Sequence, residues 1–201
     1  MEPESRFGAE DIRFRGYVSG PAECELLEPN VLLLDRASCR TEDGGFTMEK
    51  AEVLKIEDEL RRKHGWSLRS ESYPQPWLGI SGREEKPVNL ILTFSFRSDR
   101  RFEGIRLAAE TEPDWTVELN GQACSLTGEF WLDRAFSVYC LPTVREGENR
   151  LTFRIPFGSR TALEWCYLTG SFGVRTDGIN CTMTDMPRQL EFGDISRQDL
   201  P

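Results

Sequence analysis

The chain has 201 residues, with 25 Lys and Arg against 34 Asp and Glu, a formal net charge of -9. That length suits one large β domain better than two small ones. The acidic balance repels phosphate backbones and so disfavours nucleic acid as a partner, and no apolar run approaches the roughly 20 residues that would span a bilayer, so no membrane partner is expected.

Residues 1–12 are charged throughout and lack a signal-peptide core, which reads as an N-terminal extension. Residues 13–20 and 31–37 read as strands. Val31–Leu34 is a continuous apolar run and is expected to be buried on both faces. Asp43-Gly44-Gly45 is a turn signal. The stretch Thr47–His64 predicts the one helix: Thr47 caps it, Glu49 sits in the first turn and Arg61, Arg62 and Lys63 in the last, with Gly65 following. Its apolar stripe is Val53, Ile56 or Glu57, and Leu60. Trp66–Gly82 is irregular, because Pro74 and Pro76 forbid regular structure. Val88–Phe96 is the strongest strand, with Leu90, Leu92, Phe94 and Phe96 facing one way.

Ile105–Ala109 continues as a strand. WTVELNGQAC then alternates around an Asn120-Gly121 turn, a polar loop leads to the apolar run AFSVYCL, and GEN opens a further strand, RLTFRI. Leu163–Thr176 adds one or two strands with Gly170 and Gly173 as breaks, and 179–193 reads as a last strand pair or exit strand. About nine or ten short strands at this spacing predict an all-β, antiparallel β-sandwich with one inserted α-helix near 47–64. The sandwich is expected to fill 1–201 as a single module, with 190–201 as a linker to a following domain.

Three segments carry a resemblance. ETEPDWTVELNG with FWLD and GENRLTF, PNVLLLDRASCRTEDGGF, and LEWCYLTGSFGV together resemble the galactose-binding-like jelly-roll modules of large bacterial glycoside hydrolases. These are modules that accompany β-galactosidase-like, β-glucuronidase-like or α-L-rhamnosidase-like barrels. The resemblance covers roughly residues 29–195. It implies a module excised from a longer chain, whose partners are carbohydrate or the catalytic domain of a parent glycosidase. EFGDISRQDLP resembles the lead-in to the next domain of such enzymes.

The chemistry in the chain fits a non-catalytic role, either scaffolding a catalytic domain or binding carbohydrate weakly. Glycosidases need two carboxyl groups flanking the scissile bond, and sequence cannot pair any of Glu110, Glu112, Asp114, Glu129, Asp133 and Glu164 in this way. Glu164 stands among apolar residues and needs a cation, for which Arg160 and Arg154 are candidates. No nucleophile elbow, P-loop or HExxH motif occurs, and the single His64 reads as a surface group at the helix end. A sugar offers an apolar face to aromatic rings and hydroxyls to polar groups. The candidates are Trp66, Tyr73 and Trp77 in the irregular stretch, and Trp131 with Asp133 in the FWLD loop. Trp66 and Trp77 either pack the helix or face a ligand. Trp115, Trp165 and Tyr167 read as core. Arg160 and Glu164 complete the candidate set as an ion pair or a sugar contact.

No cofactor is expected. A structural calcium would need converging oxygen ligands, and although Asp43, Asp99 and Asp177 are donors, they match no known loop. The six cysteines form no CxxC, which favours free thiols over a disulfide framework and leans towards a reducing, cytoplasmic setting. A parent enzyme is equally compatible with an extracellular or periplasmic place. Alternative readings are a protein-interaction sandwich and a self-contained glycosidase using its acidic residues.

Overall fold

A computed structural model describes residues 20–69, 86–194 and 197–199. The expected strand at 13–20 and the candidates Tyr73 and Trp77 lie outside the described residues, apart from Gly20. The elements run β1 (Ala22–Glu23), β2 (Asn30–Leu34), β3 (Arg36–Thr41), β4 (Thr47–Glu52), α1 (Val53–His64), β5 (Val88–Ser98), β6 (Arg106–Glu110), β7 (Thr116–Leu119), β8 (Gln122–Ala123), β9 (Ser125–Trp131), β10 (Asp133–Cys140), β11 (Gly147–Phe157), β12 (Cys166–Gly170), β13 (Gly173–Asp177), β14 (Asn180–Thr184) and β15 (Gln189–Leu190).

Two sheets form an all-β sandwich. A five-stranded sheet has the order β2-β12-β6-β10-β9. An eight-stranded sheet has the path β13-β14-β5-β11-β7-β8, with β3 also on β5 and β4 on β3. Pairing is antiparallel except for a short parallel contact of β14 with β5. β5 and β11 pair over their full lengths and form the spine of the larger sheet. The alternation in β5 is the reason: Leu90, Leu92, Phe94 and Phe96 are all buried on one side. They meet Leu107, Ala109, Tyr139, Cys166 and Leu168 of the smaller sheet in one continuous core. Phe94 and Phe153 pack edge to face at 5.7 Å within it.

The two turn motifs read from sequence are tied to each other. Asn120 takes a left-handed φ of 53° and its Oδ1 accepts from Arg150 N at 2.9 Å. Its Nδ2 donates to Oδ1 of Asn149 at 2.9 Å. Asn149 is fully buried; it accepts from Arg145 N at 2.9 Å and donates to Arg145 O at 2.7 Å. One amide therefore closes both turns.

Four expectations are corrected. The helix begins at Val53, not Thr47, because Thr47–Glu52 pairs with β3 as β4. The N-cap is Glu52, whose carboxylate accepts from Leu54 N at 3.2 Å and Lys55 N at 3.1 Å. The C-terminal reading holds: Gly65 is left-handed and Arg61, Arg62, Lys63 and His64 fill the last turn. β2 is buried on one face only: Asn30, Leu32 and Leu34 turn inward, and Leu33, on the side of the sheet away from the core, is 40 % exposed. The polar loop expected before AFSVYCL is strand β9, paired with β10. His64 is half-buried, stacked on Trp66 at 4.8 Å.

All six cysteines are free. Cys39 and Cys166 are buried, whereas Cys140 is exposed rather than packed. Among the described residues, no helix is long and apolar enough to cross a membrane.

Candidate functional site

Alternation decides which side chains of the five-stranded sheet point away from the core. Along β12, Cys166 and Leu168 point into the core, so Tyr167 points outward. Cross-strand register places Tyr167 opposite Leu33 on one side and Ala108 on the other. Ala108 is opposite Val138, and Glu110 is opposite Phe136. The side of the sheet away from the core therefore carries Leu33, Tyr167, Val138, Phe136 and Glu110; Ala108 and Val138 at its centre are buried, and Leu33, Tyr167, Phe136 and Glu110 keep part of their surface in solvent. β9 then turns at Leu132, a non-glycine residue at φ 61°, and sets Trp131 against Asp133 across the corner.

The result is an aromatic cluster. Trp131 lies 5.3 Å from Tyr167 and 6.1 Å from Phe136, and Phe136 lies 5.7 Å from Tyr167. All three rings are half-buried. Leu132 is 81 % exposed at its rim. A half-buried ring held edge-on by its neighbours keeps its orientation and leaves a face for an apolar ligand surface.

Carboxylates border these rings. Burial raises the Glu110 carboxyl above its ordinary range, and the negative charges of Glu164 and Asp133 push it further, with Arg69 pulling the other way. Asp133 also turns its own chain, accepting from Ala135 N at 2.8 Å. Glu164 is paired with Arg69. Arg69 donates as well to Leu163 O at 3.2 Å.

A buried network holds this corner. Glu57 and Arg61 of α1 pair at 2.7 Å, with their side chains 0 % and 6 % exposed. Glu57 accepts from Leu163 N at 2.8 Å. Arg61 donates to the carbonyls of Ser159 at 3.0 Å, Thr161 at 2.9 Å and Ser67 at 3.2 Å. Every charge is met, as a buried pair requires. Arg69 lies 3.8 Å from Glu57, so it links the network to Glu164.

Of the residues singled out in the sequence, Trp131, Asp133 and Glu164 come together here. The partner of Glu164 is Arg69, not Arg160 or Arg154. Arg160 is exposed in the turn after β11, and no described contact brings it to this face. Arg154 faces Glu42 at 3.8 Å and Glu118 at 3.9 Å on the other sheet. Trp66 packs between His64 and Phe157, at 4.8 and 5.8 Å, at the end of the helix. Trp165 is 36 % exposed, not core; its Nε1 donates to Glu52 Oε1 at 2.8 Å and so ties the helix cap to the strand entry. Trp115 does pack on the core, edge-on to Phe153 at 6.4 Å.

Sequence reasoning missed Tyr167, Phe136, Glu110 and Arg69 as site residues. Only Tyr167 and Phe136 had a signal available, the strand parity of CYLTG and AFSVYC. Among the described residues, no group of three or more His, Cys, Asp or Glu is placed to hold a metal ion. No family model matches the chain, and no curated protein or solved structure does either.

Proposed function

We propose that the chain is a non-catalytic carbohydrate-recognition module, an accessory to a glycoside hydrolase, and that sugar docks on the outward face of the five-stranded sheet. The observation that carries this reading is the aromatic cluster of Trp131, Phe136 and Tyr167 bordered by Glu110, Asp133 and Glu164. The rings supply a stacking surface for the apolar face of a pyranose, and the carboxylates accept hydrogen bonds from its hydroxyls. Among the described residues, three carboxylates border the rings against one cation acting on Glu110, Arg69, a balance that repels uronic acids. The ligand class is therefore neutral or amino sugars.

The test is a glycan-array screen with the purified chain and Trp131→Ala beside it. Binding to neutral glycans, lost in the variant while the fold is retained, supports the reading. No binding to any glycan moves the role to scaffolding a catalytic domain.

A second reading has one observation in its favour. Glu110 has a raised pKa beside two further carboxylates, which is the environment of a general acid. Release of a chromogenic aryl-glycoside leaving group, abolished by Glu110→Gln, would establish a self-contained glycosidase instead.

A further inference from the structure

β3 and β14 share one edge of β5. β3 pairs with Leu90–Phe94 and β14 with Arg97–Ser98, so the two neighbours part at Ser95–Phe96. A cleft of about 300 Å³ opens there on the outward side of the eight-stranded sheet. That volume sits at the small end of ligand pockets. Its floor is Thr93 and Ser95, and one wall is the β13–β14 turn with Ile179 and Asn180.

Three cations, Arg36, Lys50 and Arg97, line this cleft against two carboxylates, Asp35 and Glu148. The chain as a whole carries -9, so a surplus of cations is against its trend. Glu148 is already held by Arg150 at 3.0 Å. Arg36 spends one donor on Lys50 O at 2.8 Å. Among the described residues, Lys50 and Arg97 have no ion-pair partner.

The backbone at Lys50 adds an independent observation. Lys50 is held at φ 48°, a left-handed conformation costly for a residue with a Cβ. It lies where the β3–β4 register slips between Ala37 and Cys39. Such bulges re-aim side chains. Here the kink is fixed by Arg36 on the Lys50 carbonyl and by Lys50 N donating to Ser38 Oγ at 3.1 Å.

We infer that this cleft binds a small anion, a carboxylated or phosphorylated molecule of about monosaccharide size, through Arg36, Lys50 and Arg97. The cleft meets the outward face of the five-stranded sheet at Leu33 but includes none of Trp131, Phe136 and Tyr167, so it survives whether or not that face binds sugar. Arg36 and Arg97 supply planar forks for a carboxylate or phosphate, Lys50 a point charge, and Ser95 and Asn180 neutral hydrogen bonds.

The experiment is an amide chemical-shift titration of the full chain with glucuronate, glucose 6-phosphate and glucose. The variants are Arg97→Gln and Lys50→Asn; Asn tolerates the left-handed backbone, so the ammonium and its stem are removed without straining the bulge. Saturable shifts at Ser38, Ser95 and Asn180 with either anion and not with glucose are expected, and which anion saturates first identifies the source. Each variant is expected to bind about tenfold more weakly, the loss of one charge-assisted hydrogen bond. Equal response to glucose, unchanged affinity in both variants, or no saturable shift with either anion at millimolar concentration overturns the inference.

Discussion

Replacing Arg61 with Met removes the cation that answers Glu57. Both side chains are almost fully out of water, so the change strands a carboxylate and leaves three carbonyls without their donor. Breaking a buried pair from one side costs about 3–5 kcal/mol. Arg69, 3.8 Å from Glu57, offsets part of this, which points to the lower end, about 3 kcal/mol. With a urea dependence of about 3 kcal/mol per M for a domain of this size, the unfolding midpoint should fall by about 1 M. The assay is urea unfolding followed by far-UV circular dichroism and tryptophan fluorescence. Glu57→Leu combined with Arg61→Met removes both charges and should lose less than the sum of the two single changes, by about 1 kcal/mol or more. A midpoint shift too small to resolve, or strict additivity, would falsify the view that this pair is a coupled, desolvated unit.

Four further outcomes are expected. Gly173→Ala should destabilise by about 1–3 kcal/mol in the same urea assay, because a Cβ there would come within 2.6 Å of Asp185 O and 2.7 Å of Asp199 O, backbone atoms that cannot swing aside. Asn149→Ala should cost about 1–3 kcal/mol by stranding the Arg145 backbone and the Asn120 amide; a wild-type midpoint would mean the turns close independently. Glu110 is a carboxyl whose folded pKa is raised by burial and by Glu164. Its contribution to stability is therefore greatest when protonated, and declines as pH rises from the unfolded value through the folded one. Glu110→Gln should flatten that decline and raise the midpoint at neutral pH relative to wild type, measured by thermal melts from pH 3 to 8 (approximate limits set by ordinary carboxylate titration). Native thiol labelling should modify exposed Cys140 first, whereas Cys39, pushed up to about 11 by burial, should react only on unfolding.

What sequence showed and what it hid divide along one physical line. Local alternation located β5 and its inward face, because a period of two within one strand needs no knowledge of neighbours. Asn120-Gly121 and the glycine before Glu148 marked two turns for the same reason. The Asn120–Asn149 amide contact that joins them spans 29 residues of chain and is a property of β7 lying beside β11. The helix start failed on a competition: Thr47–Glu52 has a helical charge pattern, but β3 offered a strand partner, and pairing outweighed propensity.

The site followed the same logic. Trp131 and Asp133 were legible as a pair because one residue separates them. Tyr167 is 36 positions from Trp131 and came within 5.3 Å only because the smaller sheet is ordered β12-β6-β10-β9. No residue pattern states that order. The same applies to Glu164, whose need for a cation was evident while its partner, Arg69, was 95 residues away. That pairing also gives the stability experiment a functional edge. Arg69 touches both Glu57 and Glu164, so stranding Glu57 by Arg61→Met should draw Arg69 towards it and away from Glu164. The aromatic face would then carry one more unanswered negative charge. On the proposed sugar-binding reading, the preference for an amino sugar over its neutral counterpart should rise in that variant, below its unfolding midpoint, more than in Gly173→Ala destabilised to the same extent. An equal preference in the two variants would show that the helix supports the sandwich without tuning the face.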